Sequence, residues 1–247
     1  MEGKIVSWNR CLFLFVLCAG MLSVSAQSQA IHTADAAGGG TASAAANPVA
    51  EVREKQSWEF GPFLNGGTGV GERSDFKFFW GGVQGGKVLT PVLHAGILSG
   101  QFEFGSNIMP LWQAYTPAQH MQSYIYQGQP FLAPEGGGTF YGASLTPVIL
   151  RWNFFSTARR FQPWFQGAGG LIYTTHKFPP SQLLPREGTS VWNFSPQGGV
   201  GVHFFTKPKR SIDLGVNAVH ISSASLGDKN PGVNASVQIQ VGYTYWK

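Results

Sequence analysis

Cysteine is all but missing. The chain has two, Cys11 and Cys18, and nothing beyond them that can form a disulfide. Stability must then come from a packed core, a closed hydrogen-bonded ladder or a membrane. Charge is also scarce, at 12% Asp, Glu, Lys and Arg, and the basic residues sit mainly in turns. No basic stripe tracks along the chain, which excludes a nucleic-acid partner. No stretch keeps an i, i+3, i+4 apolar pattern long enough to predict a helix. The Gly-rich run Gly66–Gly71 is not followed by Lys-Ser/Thr or a helical pattern, so it reads as a loop and not a phosphate cradle. His94, His120 and His176 have no partners at ligand spacing, and His203 reads as a lumen residue. No metal and no cofactor are expected.

What the chain does have is glycine (33), phenylalanine (19) and tryptophan (8), with aromatics at 14%. That mixture suits many strands joined by Gly-rich turns. The N-terminus reads as a secretory signal over 1–26. Lys4 and Arg10 form the positive region, Cys11 to Val24 the apolar one, and Val24-Ser25-Ala26 the small residues before cleavage. Leu17 before Cys18 argues against lipid attachment there. Losing this segment lowers the formal net charge from +5 to +4. From 27 to 56 the chain is rich in Ala, Gly and Ser and reads as a flexible tail.

From 57 to 247 a period-2 pattern recurs. It predicts eight strands at 57–66, 74–84, 88–105, 139–154, 161–174, 191–205, 210–222 and 234–246. Val148, Leu150, Trp152 and Phe154 alternate with Arg151 and Asn153. Val237, Ile239, Val241, Tyr243 and Tyr245 alternate with Gln238, Gln240, Gly242 and Thr244. Phe76, Phe78 and Trp80 oppose Lys77, while Phe102 and Phe104 oppose Gln101 and Glu103. Polar faces carrying Glu59, Lys77, Glu103, Arg151 and Asp213 can pair inside a narrow barrel, and aromatic apolar faces suit lipid. Trp58, Trp80, Trp112 and Trp246 read as anchors at the membrane interface. Lipid tolerates no open sheet edge, so such strands must close. The expected fold is all-β, an eight-stranded antiparallel transmembrane β-barrel. With both termini on the periplasmic side, the turns at 84–88, 155–160 and 206–210 are short and basic. The outward loops 106–138, 175–190 and 223–233 are longer, the asymmetry expected of such barrels. Pro147 and Pro196 fall inside predicted strands and call for bulges or later strand starts.

The chemistry lies at the end of the seventh strand. Alternation places His220 and Ser222 on the face of Ile212, Leu214 and Val216, the lipid side, where two polar groups need a reason. A His and a Ser two apart on one face are neighbours, as an activated nucleophile requires. Gln240, Gly242 and Tyr245 also resemble the terminal signal of outer-membrane proteins, although Lys247 rather than an aromatic comes last.

His220-Ile-Ser222-Ser223-Ala224, followed by Asn230-Pro-Gly232, resembles the signature of the PagL-type lipid A 3-O-deacylases. These are outer-membrane barrels that hydrolyse an acyl ester of lipopolysaccharide. The resemblance implies lipopolysaccharide as substrate, the outer membrane as location, Ser222 as nucleophile and His220 as general base. The family Glu that orients the His falls at Asn234, and the family Asn after the serine is Ser223, which the resemblance makes a possible oxyanion donor. Asp228 is a nearby loop carboxylate, and Lys177 and Lys229 are placed to meet lipid A phosphates. Two other readings stand beside this one. The first is a catalytically degenerate outer-membrane barrel with a structural or binding role, acting through the loops 106–138 and 175–190. The second is a soluble periplasmic barrel for a small apolar ligand. The residues do not indicate an oligomeric state.

Overall fold

The computed structural model describes residues 47–247 except 119, 127, 136, 179–189, 225 and 227–234. The expected signal segment and most of the expected tail lie outside the described residues.

Alternating residues drive the architecture, because a strand with one wet or oily face and one buried face must find a partner on each edge. The strands are β1 (Trp58–Gly69), β2 (Lys77–Val88), β3 (Gly100–Tyr115), β4 (His120–Tyr126), β5 (Gln129–Glu135), β6 (Thr139–Phe154), β7 (Phe161–Phe178), β8 (Ser190–Phe194), β9 (Gln197–Lys207), β10 (Arg210–His220) and β11 (Ala235–Trp246). β4 and β5 form a separate hairpin. The others run β1-β2-β3-β6-β7, then β8 and β9 as one interrupted strand, then β10-β11 and back to β1, every pairing antiparallel. This is a closed eight-stranded antiparallel transmembrane β-barrel. Among the described residues no helix is long and apolar enough to cross a membrane.

Both prolines that conflicted with the strand pattern sit where the ladder breaks. Pro147 lies in the register shift between Leu145 and Val148. Pro196 separates β8 from β9. A residue without an N–H cannot continue the ladder, so the pairing resumes on either side of it.

Several expectations need correcting. The third strand begins at Gly100 and not at 88. Pro91 breaks the run before it, and Gly96 takes a left-handed conformation (φ +58°) in a 3-10 turn at Gly96–Leu98. The segment expected as a turn, 84–88, therefore lies wholly within β2, and the connection to β3 runs over 89–99. The strand itself extends to Tyr115, and the segment read as a loop at 106–138 carries the β4–β5 hairpin. Pro48–Lys55, read as tail, is an α-helix, α1. Asn47 caps it by accepting from the Ala50 amide at 3.2 Å, Pro48 sits in its first turn, and Gln56 ends it at φ 47°.

Facing also differs from expectation in β2. Phe78 and Trp80 point inward with Phe76 before them, while Lys77 is outside and donates to Thr68 Oγ1 at 2.9 Å and to the Ser74 carbonyl at 3.0 Å. Trp80, Trp112 and Trp246 are buried inside, and Trp58 is exposed. The reason is that the lumen is not polar throughout. Away from the termini it is filled by an aromatic cluster, with Phe178 edge-on to Trp112 at 5.3 Å and to Phe140 at 5.4 Å. At the termini end, Val49 and Val52 of α1 pack with Val88, Phe205 and Trp246.

Between these two apolar layers lies a buried polar belt. Arg151 Nη1 donates to Glu59 Oε1 and to Glu103 Oε1, each at 2.8 Å, and its Nε donates to Gln166 at 3.2 Å. Asn153 donates to the other Glu103 oxygen at 2.7 Å. Gln166, Asn217, Gln240 and Gln84 then continue a chain of amide hydrogen bonds across the lumen. Trp164 lies against two glycines of the wall. A Cβ on Gly201 or Gly215 would come within 2.3 and 2.7 Å of its ring, so the absence of a side chain at each makes room for the indole.

Candidate active site

β10 starts at the termini end and carries His220 to the opposite end. Burial alternates along it without a slip. Ser211, Asp213, Asn217, Val219, Ile221 and Ser223 are buried, whereas Leu214 and Val216 are exposed on the outer wall. His220 and Ser222, half-buried, share the outward parity of Leu214 and Val216. Two residues apart on one strand face, they are spaced by about 7 Å of backbone rise.

Backbone pairing fixes this stretch beyond the regular end of the strand. The His220 amide donates to the Pro196 carbonyl at 2.9 Å. Phe194 and Ser222 exchange amide–carbonyl bonds of 2.7 and 3.0 Å, an isolated bridge that ties the serine to β8. The chain then turns at once. Ala224 holds φ at 45°, an unusual value for a residue with a Cβ, and its amide donates to Ser222 Oγ at 3.1 Å. The Leu226 amide closes the turn on the Ser223 carbonyl at 2.8 Å. A serine at a sharp turn, its Oγ touched by the amide two residues on, is geometrically restrained rather than free to rotate.

Ser223 lies on the other face. It is fully buried inside the barrel, and its Oγ has no hydrogen-bond partner among the described residues. Its hydroxyl therefore points away from the face that carries His220 and Ser222. Asn234, Asp228, Lys229 and the Asn230–Gly232 turn lie outside the described residues. Lys177 is exposed at the far end of β7.

Sequence reasoning did not name the surface beside the pair. Phe194, Trp192 and Tyr173 are exposed there, the last two with rings 5.0 Å apart, and Val237 is exposed on β11. Pro196 is the sequence signal for this place, since the interruption it forces lies beside His220. Reasoning from the sequence also missed a buried pairing at the other end. His203 Nδ1 and Asp213 Oδ1 are 2.7 Å apart, and Ser211 donates to the same oxygen at 2.7 Å. Glu59, Glu103 and His203 bring one ligand atom each within 4.8 Å of one another, as a metal site would. Arg151 already holds an oxygen of each carboxylate, and the arrangement is that of an ion-pair network.

A closed barrel of this size, with charge locked inside and an oily outer wall, is an outer-membrane β-barrel. His220 and Ser222 lie at one rim of it with the parity of the outer wall. The family model described as "Lipid A 3-O-deacylase (PagL)" matches residues 94–244, more than half of the chain, and the protein belongs to that family. No curated protein matches the chain by sequence. Among solved structures, the outer membrane enzyme PagL is similar at 15% identity, covering 74% of this chain and 98% of its own, with a TM-score of 0.40. Neisserial surface protein A is similar at 11% identity, covering 76% and 96%, with a TM-score of 0.43. OprG from Pseudomonas aeruginosa is similar at 9% identity, covering 78% and 96%, with a TM-score of 0.40. Family membership rests on the sequence match and not on these superpositions.

Proposed function

We propose that this protein is an outer-membrane lipid A deacylase that cleaves an acyl ester of lipopolysaccharide with Ser222 as nucleophile and His220 as base. The observation that carries the proposal is their shared outward face at the rim of a lipid-facing wall, within the stretch matched by the family. In the first step Ser222 Oγ attacks the ester carbonyl as His220 takes its proton, giving a tetrahedral oxyanion. Collapse expels the sugar alkoxide, which regains the proton from His220, and leaves an acyl-serine. Water, deprotonated by His220, then releases the fatty acid. The Ser223 backbone amide is assigned to the oxyanion, because the Ala224 amide serves Ser222 Oγ, the Leu226 amide serves the Ser223 carbonyl, and the Ser223 hydroxyl faces the lumen. Tyr173, Trp192, Phe194 and Val237 supply an apolar wall for acyl chains, and Lys177 a cation for a lipid A phosphate.

Asn234 in place of a carboxylate favours a second reading, a degenerate barrel with a structural or binding role. An amide can hold the imidazole by a hydrogen bond but supplies no charge to the imidazolium. Mass spectrometry of lipid A from cells expressing the wild type and Ser222→Ala separates the two. Deacylation predicts lipid A lighter by one acyl chain with the wild type alone. Identical lipid A from both strains would remove the enzyme and leave the degenerate barrel. Asn234→Glu should raise the rate by roughly tenfold or more, given about 1.4 kcal/mol per factor of ten in the barrier.

A further inference from the structure

A groove of about 940 Å³ runs along the outer wall over β1, β2 and β3, at the end of the barrel that carries the termini. Its lining follows from strand parity. Trp58 and Phe60 of β1, and Phe104 of β3, are exposed on the outside. Gly85 of β2, paired with Phe60 on one side and Ser106 on the other, lies between them and leaves a dip in the wall. Lys87 and Lys247 stand at one end. Lys87 Nζ lies 5.4 Å from the centre of the Trp58 ring and donates to the Gln56 carbonyl. Glu59, the acidic residue along the groove, turns its carboxylate inward to Arg151. The groove is therefore oily along its length and positive at its mouth. Arg210, over the Tyr245 ring at 5.0 Å, adds a further cation to this end of the barrel.

We propose that this groove binds a glycerophospholipid with a net anionic headgroup. One acyl chain lies over Gly85 between Phe60 and Phe104, and the phosphate meets Lys87 and Lys247. The charge distribution selects the occupant. An apolar trough alone accepts any lipid tail, but the ammonium groups of Lys87 and Lys247 at its mouth, with Arg210 at the same end of the barrel, favour a headgroup whose charge is not cancelled. The site is separate from the proposed hydrolytic pair, which sits at the opposite end of β10, so its test does not depend on deacylation.

The test is native mass spectrometry of the full barrel, refolded in micelles that hold equimolar phosphatidylglycerol and phosphatidylcholine. Wild type should retain phosphatidylglycerol in preference. Lys87→Gln and Lys247→Gln should each lower that preference about fivefold, the effect expected of one basic side chain at an anionic lipid surface. Gly85→Leu should abolish the retained lipid. A Cβ at Gly85 meets only the Glu59 carbonyl oxygen at 3.6 Å, an ordinary contact, so the leucine fills the groove without moving the wall. Heat-modifiable migration on a gel identifies the folded variants. Equal retention of the two lipids by the wild type, or an unchanged adduct on Gly85→Leu, would overturn the proposal. If Gly85→Leu does not fold, the lysine variants decide alone, and an unchanged preference in both overturns it.

Discussion

Arg151 holds Glu59 and Glu103 with one nitrogen at 2.8 Å from each, in a lumen where none of the three side chains reaches solvent. Removing one partner of such a network leaves charges buried without compensation, which costs about 3–5 kcal/mol. Arg151→Met should therefore lower the unfolding free energy of the refolded barrel in urea by about that much, whereas a replacement on the outer wall such as Leu150→Met should change it by less than about 1.5 kcal/mol. Arg151→Lys should not restore it. An ammonium presents no planar fork to serve both carboxylates and Gln166 together. This residue was legible as a lumen charge because Leu150 and Trp152 on either side of it are apolar. Its partners were legible only as members of a set of lumen charges. The register that puts Glu103 opposite Arg151, and Glu59 across Gly86, is set by strand pairing that alternation does not give. His220 and Ser222 were legible for a related reason: alternation alone assigns their face, and the structure keeps the alternation from Ser211 to Ser223. If His220 is the base, His220→Gln should abolish hydrolysis, because a side-chain amide cannot accept the serine proton. Lipid A deacylated by the variant as fast as by the wild type would count against that role.

Among the elements, those that sequence pattern misplaced are ones with apolar residues on both faces. In β2 the residues around Lys77 are aromatic on either side, and parity cannot say which set faces the lumen. The lone lysine suggested a polar interior, yet at that level the interior is packed with Trp80, Trp112 and Phe178. α1 escaped notice because eight residues after an Ala-rich stretch carry only two buried valines, Val49 and Val52, too few for a periodic signal. Those two valines nonetheless close one end of the barrel against Val88, Phe205 and Trp246. Val52→Asp places a charge in that contact and should undock the helix without opening the ladder. Limited trypsin digestion should then cut at Arg53 and Lys55 much faster than in the wild type, while heat-modifiable migration persists. Unchanged cleavage would show that the helix does not depend on this contact.

At the scale of the molecule, eight strands enclose a space that side chains fill. An aromatic layer, a polar belt and a helix plug occupy it in turn. Planar-bilayer recordings of the purified barrel should show no conductance steps, and stable open-pore currents would contradict the packing. A filled lumen moves any chemistry to the outer wall and its rim, which is where the turn at Ser222 lies. The distinction between Ser222 outside and Ser223 inside is thus the point on which the functional reading stands. The protein from Gln27 onward has no cysteine, so single variants report cleanly. Ser222→Cys and Ser223→Cys, each carrying a small fluorophore in the barrel refolded into vesicles, can be compared for quenching by nitroxide-labelled lipid. Strong quenching at 222 and little at 223 is the predicted result. The reverse pattern, or equal shielding of both from lipid, would contradict a hydrolytic pair that meets its substrate in the membrane.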